Sequence, residues 1–367
     1  MIDNIAIIGA GSGGKAAAVD MALQGKRVRL FEFPEFEENI SEIIENRTLI
    51  SSGDVEGKAT LELVTSNLQE AVEGVDTVMI CTQALIHDRA ARELAPLINP
   101  SQLVILNPGS TGGTLLFAHI FREFGFDELP TFIETATLTY GCRAKGAKVE
   151  VPVKVNRVLY GALPAKAIEE VGPELETLYP GLRRGATVLE AGLNNANPVI
   201  HPPIVILNAA MIENEGDSKY FYRDGVSPMV AELIRKLDEE RMALLRALDY
   251  PAQSDPATSV QQGYATSTDY YECYKTGPGY GNFRFANTLD NRYFHEDIGV
   301  SLVMYCSLAK ILGVPTPISE TVVNFVEALT GINYMSEGKR TAETLGIADL
   351  NKQELEQYLE SGKMPSG

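Results

Sequence analysis

Apolar residues along this chain recur in two rhythms, and the change from one to the other divides it. In the first half, short apolar runs alternate with helical stretches. Ile5-Ala-Ile-Ile8 reads as a buried strand and Ala16 to Leu23 as the helix after it. Arg27 to Glu32 is the next strand, and Thr48 to Ser66 reads as extended segments broken by Ser51-Ser-Gly-Asp54, a hairpin pattern. Val75 to Thr82, Leu103 to Asn107 and Thr131 to Thr137 are further strands. Helical patterns over Asn67 to Glu73, Ala90 to Ile98 and Thr114 to Phe124 lie between them. Alternating Val149, Val151, Val153 and Val155 mark extended chain, and Val188 to Ala191 reads as one more short strand. This alternation predicts a doubly wound, mostly parallel sheet.

The second half is helical. Pro202 to Asn214, Val226 to Leu248, Ile298 to Leu312 and Pro317 to Leu329 all read as helices, with a last one over Asn351 to Leu359. Val230, Leu233, Ile234, Leu237, Leu244, Leu245 and Leu248 repeat at helical spacing. Tyr264 to Arg284, rich in Tyr, Gly and Thr, reads as an irregular loop that reaches the cleft. The pattern predicts two domains, residues 1–187 and 188–367, the first α/β and the second all-α.

The first strand ends in Gly9-Ala-Gly11-Ser12-Gly13-Gly14, a G-x-G-x-x-G opening a helix. Gly9 allows the tight turn, Gly11 lets the backbone approach a pyrophosphate, and Gly14 lets helix and strand pack closely. Ser12 and Gly13 belong to the same cofactor-binding loop. The α/β half is therefore read as a Rossmann domain. Glu32 ends the second strand, about 18 residues past Gly14, where a carboxylate accepts hydrogen bonds from an adenosine ribose. Phe33 to Glu38 contain no Arg or Lys, so a 2′-phosphate meets repulsion there, and NAD is favoured over NADP. Ligands of doubly wound sheets sit at the carboxyl ends of the strands. Thr82, Asn107 and the Thr137-Leu-Thr-Tyr140 stretch are placed there, with Thr82 and Asn107 assigned to the cofactor.

Composition narrows the partners. The chain has 367 residues, 45% hydrophobic, enough for a sizeable core. Its formal net charge of -18, with no basic block, argues against nucleic acid and anionic membranes. Local cations must then draw in any anionic substrate. Cys81, Cys142, Cys273 and Cys306 form no C-x-x-C pair, so no metal site or redox motif is expected. Reduced thiols, a first strand that leaves no room for a signal peptide, and no long apolar run point to a cytoplasmic chain. The helical half is compatible with a homodimer.

Hydride transfer needs a group that can give a proton to a carbonyl or imine, and histidine is the usual choice. The pool is His87, His119, His201 and His295. His119 lies in an apolar helix and reads as packed; His87 reads as a loop residue near the cofactor strands. His201, in Asn197-Pro-Val-Ile-His-Pro-Pro203, is expected just before the N-terminus of a long helix, since it precedes a proline. The helix dipole there disfavours imidazolium, so a proton-donating His201 needs a carboxylate beside it. Asp297 is the candidate, in a position that also suits an N-cap. Arg292 and Arg143 are cations suited to a substrate carboxylate, or equally to surface ion pairs.

The order and spacing of several stretches resemble the opine dehydrogenases, the octopine/nopaline dehydrogenase family, especially its short-chain bacterial members. They are Gly9-x-Gly11-x-x-Gly14, Asn107-Pro-Gly-Ser-Thr-Gly-Gly113, Glu134 with Thr139-Tyr-Gly-Cys-Arg143, Ala162-Leu-Pro-Ala165, Asn195 to Pro202, Arg292 with Glu296-Asp297-Ile298, Gly313-Val-Pro-Thr-Pro317, and Gly338 to Ile347. The resemblance implies an NAD(P)H-dependent condensation of an amino acid with a 2-oxo acid, usually pyruvate, followed by reduction of the imine. It implies His201 as acid/base, Asp297 as its partner and Arg292 on a substrate carboxylate, with Thr137 and Arg143 on a further substrate-binding motif. Leu138-Thr139 and Gly299 stand where many members have Leu-Pro and Pro, both near the implied substrate pocket. Two other readings keep the nucleotide domain: reduction of a plain 2-oxo acid without amine, and NAD sensing without turnover.

Overall fold

The apolar runs of the first half pair side by side, because strands buried on both faces must be covered by helices on both. The computed structural model describes residues 2–365. In chain order its first half comprises β1 (Asn4–Ile8), α1 (Ser12–Leu23), β2 (Arg27–Phe31), β3 (Thr48–Gly53), β4 (Gly57–Thr60), β5 (Leu63–Thr65), α2 (Leu68–Val72) and β6 (Thr77–Ile80). Then come α3 (His87–Leu94), β7 (Leu103–Leu106), α4 (Gly113–Glu123), β8 (Thr131–Thr135), β9 (Tyr140–Lys145), β10 (Lys148–Lys154), β11 (Val158–Leu163), α5 (Ile168–Leu178), β12 (Leu182–Arg184) and α6 (Val188–Leu193). An eight-stranded sheet runs β12-β11-β8-β7-β6-β1-β2-β5, parallel except where β11 meets β8. This is the doubly wound Rossmann arrangement. The hairpin β3–β4 joins β10 and β9 in a second sheet, β4-β3-β10-β9.

The second half comprises α7 (Asn197–Leu207), α8 (Ala209–Glu215), α9 (Phe221–Gly225), α10 (Pro228–Ala247), α11 (Asp255–Gln262) and α12 (Tyr270–Thr276). A π-helical segment over Tyr293–Leu302 continues into α13 (Val303–Leu312), followed by α14 (Pro317–Thr330), α15 (Tyr334–Glu337) and α16 (Lys352–Ser361). The core of α10 is the expected stripe: Ile234, Leu237, Leu244 and Leu245 are fully buried. Tyr264 to Arg284 is not wholly irregular, since α12 and a short 3-10 turn at Pro278–Tyr280 lie within it.

Contacts divide the described residues into two compact units, 2–192 with 356–365, and Leu193–Leu355. The last residues join the first unit because Tyr358 and Leu359 are fully buried there and Arg122 Nη1 donates to Tyr358 Oη at 2.8 Å. The Val188–Ala191 run is helix rather than strand. Thr187 Oγ1 accepts from the N–H groups of Leu189 (3.2 Å) and Glu190 (3.3 Å), a cap that starts a helix. A four-residue apolar run does not distinguish the two states by periodicity; the cap does.

Candidate active site

β1 lies between β2 and β6, so the strand order reverses at its carboxyl end, the place where such sheets bind ligands. The turn there admits only glycine at two points. Gly9 has φ +99°, and a Cβ on Gly14 would sit 1.7 Å from the Gly9 carbonyl oxygen. Around Gly11 the opposite holds: a Cβ there would meet nothing within 4 Å. That open side is where a pyrophosphate can approach the first turn of α1. Thr82 Oγ1, just past β6, is buried without a hydrogen-bond partner among the described residues, a polar group suited to a ligand. Both features fit a dinucleotide.

Glu32 at the end of β2 is 4% exposed. It accepts from Ala10 N–H (2.9 Å) and the Asn39 side chain (2.9 Å) through Oε2, and from Phe33 N–H (3.0 Å) through Oε1. A carboxylate offers about four acceptor sites, so capacity remains for a ribose hydroxyl. The same bonds stitch β2 to the glycine turn. Ser12 Oγ accepts from Ala144 N–H on β9 at 3.0 Å, and Gly13 packs on Leu138. Asn107 is 1% exposed; its Nδ2 donates to Thr139 Oγ1 (2.9 Å), and its Oδ1 accepts from Thr139 N–H (3.1 Å) and Thr135 Oγ1 (3.2 Å). Asn107 thus fixes the chain after β7 and β8. Glu134 accepts from the N–H groups of Gly112 (3.0 Å) and Thr114 (2.8 Å), so the start of α4 already holds its own anion.

In the second unit, His201 does not precede its helix. α7 begins at Asn197, and His201 falls in its second turn. Pro198 takes the helix start, and Asn195 Oδ1 accepts the Asn197 N–H at 3.2 Å. Pro202 and Pro203 are therefore interior prolines, with no N–H to donate to the carbonyls of Pro198 and Val199. Asp297 is likewise not an N-cap; it lies inside the π-helical segment Tyr293–Leu302, a geometry frequent at functional sites. The two meet directly. His201 Nδ1 is 2.8 Å from Asp297 Oδ2, with His201 7% and Asp297 2% exposed. A buried carboxylate on Nδ1 fixes the ring and leaves Nε2 for proton transfer.

His201 sits among aromatic rings: Tyr293 with centroids 4.6 Å apart, Phe221 at 5.5 Å and Tyr222 at 6.4 Å. Tyr222 Oη is 3.2 Å from His201 Nε2. Arg292, one residue before the π-helical segment, is half-exposed, with Nε 3.5 Å from Glu296 Oε2. Asp297 and Arg292 thus arrive on one continuous stretch. Thr137 and Arg143 belong to the first unit: the Thr137 carbonyl accepts from Thr135 Oγ1 at 2.9 Å, and Arg143 is exposed on β9, its Nη1 on the Cys142 carbonyl at 3.0 Å. Gly299 is required where it stands, because a Cβ would lie 2.6 Å from the Tyr334 ring.

The other histidines are engaged elsewhere. His87 starts α3 rather than lying in a loop, fully buried against Phe117. His119 is a third exposed, with Nε2 3.5 Å from Glu123 Oε1, rather than packed. His295 binds Asp290 at 2.7 Å and the Tyr334 hydroxyl at 2.9 Å. No motif or spacing in the sequence points to Tyr222 or the rings behind it. Their only signal is aromatic density, Tyr220-Phe-Tyr222 and the Tyr-rich stretch from Tyr264. Among the described residues no His/Cys/Asp/Glu group has metal-site geometry, and no helix is long and apolar enough to cross a membrane.

Residues 184–330 match the family model described as NAD/NADP octopine/nopaline dehydrogenase, alpha-helical domain. Residues 4–123 match that of the NAD-dependent glycerol-3-phosphate dehydrogenase N-terminus. Opine dehydrogenase of Arthrobacter sp. (strain 1C) is 33% identical over 352 residues, 94% of this chain and 95% of that protein. Solved structures share the fold, two of them as follows. Octopine dehydrogenase, solved with NADH and pyruvate, gives a TM-score of 0.76 at 20% identity, covering 100% of this chain and 99% of that one. Yersinopine dehydrogenase with NADP+ gives 0.76 at 16% identity, covering 98% of each.

Proposed function

Because the chain belongs to the opine dehydrogenase family, we propose that it condenses pyruvate with the amino group of an amino acid and reduces the imine with NADH. The observation that carries the acid–base chemistry is the buried His201–Asp297 pair. Asp297 holds Nδ1 and favours the imidazolium once it forms. Nε2 can then take a proton from the substrate ammonium and return it to the oxygen that leaves as water. Arg292, next to the pair and half-exposed, is assigned to a substrate carboxylate, and Arg143 and Thr137 keep the substrate assignment that the family resemblance implies.

The first unit binds the cofactor through the Gly9–Gly14 turn, Glu32, Thr82 and the chain fixed by Asn107. When bound, reduced nicotinamide supplies the hydride that turns the imine carbon into a secondary amine centre. NADH is preferred because Glu32 is a buried carboxylate at the ribose position, where a 2′-phosphate would be repelled. The reading includes a cytoplasmic chain, supported by four free thiols. It also includes a homodimer, for which Met229, Phe325 and Leu329 are exposed apolar side chains on the helical unit, and which light scattering checks.

The test is NADH oxidation with pyruvate against a panel of amino acids, each substrate also assayed singly. Oxidation that needs both partners, and that collapses in His201→Ala while NADH still binds, is the expected result. Oxidation with pyruvate alone would replace this reading with 2-oxo acid reduction. NADH binding without turnover on any pair would favour a sensing role.

A further inference from the structure

With Asp297 on Nδ1, Nε2 is the nitrogen left for substrate, and Tyr222 Oη stands 3.2 Å from it. Phe221 and Tyr293 present rings to His201; Tyr222 presents its hydroxyl. Tyr222 is 7% exposed, and burial, followed by the nearby Tyr293 and Asp255, pushes its phenol well above the ordinary range, so it stays a neutral donor.

The Tyr222 ring is held from several sides. Tyr222 packs on Tyr280 with ring centroids 4.6 Å apart, on Phe283 at 5.7 Å and stacked on Tyr274 at 6.2 Å. The hydroxyls of Tyr280 and Tyr274 are tied in turn to Ser259 (2.6 Å) and Asp255 (2.7 Å). α9 is locked to α7 by Asn208, whose Nδ2 donates to the carbonyls of Ile204 (2.8 Å) and Gly225 (2.9 Å). Gly225 makes that approach possible, since a Cβ there would sit 2.7 Å from Phe285 and 2.9 Å from Ile204. A short helix has been brought against His201 at the cost of a glycine, and the polar atom it delivers is the Tyr222 hydroxyl.

We propose that Tyr222 is the positioning residue of the acid–base centre: its O–H donates to Nε2 of neutral His201 while Nδ1–H donates to Asp297, fixing one tautomer and one ring plane between turnovers. The inference rests on the acid–base role given to His201 above. The resting imidazole is thereby a base at Nε2, which the chemistry requires, because an amino acid arrives as ammonium. As the ammonium binds, the Tyr222 O–H gives up Nε2, whose one in-plane lone pair takes an ammonium proton, and the freed nitrogen pair attacks the carbonyl carbon as the carbonyl π pair moves to oxygen. The nitrogen then yields its second proton to that oxygen. The imidazolium returns the first, the C–O bond breaks, and water leaves as the nitrogen pair closes the iminium. Two protons pass from nitrogen to oxygen, His201 ends neutral, and Tyr222 keeps its proton throughout.

The experiment uses the full chain with NADH bound, comparing wild type, Tyr222→Phe and His201→Ala. Tyr222→Phe is expected to lower kcat roughly 10–100-fold with KM for pyruvate within about twofold. Imidazole 15N NMR, with His201 assigned by its loss in His201→Ala, should show the Nε2 resonance moving towards an unbonded nitrogen. Asn208→Ala, which loosens α9 from α7 and keeps the hydroxyl, should move it the same way to a lesser degree. A Tyr222→Phe enzyme with near wild-type kcat, or an unmoved Nε2 resonance, overturns the inference. Turnover surviving in His201→Ala overturns the acid–base reading itself, whatever Tyr222→Phe does.

Discussion

Asp297 and Glu32 are buried carboxylates with different partners, and the partners set what each substitution does. Asp297 faces an imidazole nitrogen, so Asp297→Asn keeps an acceptor of the same shape and removes the charge that favours imidazolium. Its kcat is expected to fall on the order of 10²-fold or more, with NADH affinity unchanged in a fluorescence titration. Glu32 faces backbone N–H groups and Asn39, which Glu32→Gln can partly keep. Losing the charge should narrow the preference for NADH over NADPH by roughly tenfold, read as the ratio of kcat/KM values. An unchanged ratio would show that Glu32 only braces the turn. Both residues were legible as candidates from spacing and flanking motifs. Tyr222 was not, because nothing local distinguishes a hydroxyl aimed at His201 from any other buried tyrosine.

Elements in each unit carry their own tests. α1 can start where it does only because Gly14 passes beneath the Gly9 carbonyl. Gly14→Ala should therefore abolish NADH binding in a fluorescence titration, while far-UV circular dichroism shows the helical unit still folded. In the helical unit, α10 and α11 share a buried charge cluster. Arg241 Nε donates to Asp238 Oδ1 at 2.6 Å, and Asp238 Oδ2 accepts the Asp255 N–H at 2.9 Å. Burial, reinforced by the Asp238 charge, pushes Asp255 up to about 6. A raised carboxyl binds its proton more tightly folded than unfolded. Its stabilising contribution is thus full below about pH 4 and is lost as pH rises through about 6. Urea unfolding of Asp255→Asn should gain on wild type across that window, by on the order of 2–3 kcal/mol. A constant offset between the two curves would contradict the shift. α7 and the π-helical segment start a few residues before the positions that the sequence pattern predicts. Prolines occur at the start of α7 and in its interior alike, and Asp297 finds its partner in His201 rather than in a helix N-terminus.

At the scale of the whole molecule, charge and chain ends matter. A net charge of -18 repels an anionic oxo acid over a Debye length or more at low salt. The local cations assigned to substrate, Arg292 among them, must overcome that repulsion. The C-terminal residues belong to the nucleotide unit, where the guanidinium of Arg122 lies 4.8 Å from the centre of the Tyr358 ring. Tyr358→Ala should cost about 3–5 kcal/mol, with hydrogen exchange rising first in α4.

The nucleotide turn, the strand–helix alternation, the change to helices and the candidates His201 and Asp297 are all local features of the chain. Each is written in local spacing or in a run whose burial follows from its own period. That His201 and Asp297, 96 positions apart, share a hydrogen bond is set by packing. So is the use of the Asn107 and Glu134 polar atoms in the scaffold, and the reach of Tyr222 to Nε2. Those outcomes depend on which helices pack together, and no local pattern of polar and apolar residues encodes which buried polar group will find which partner.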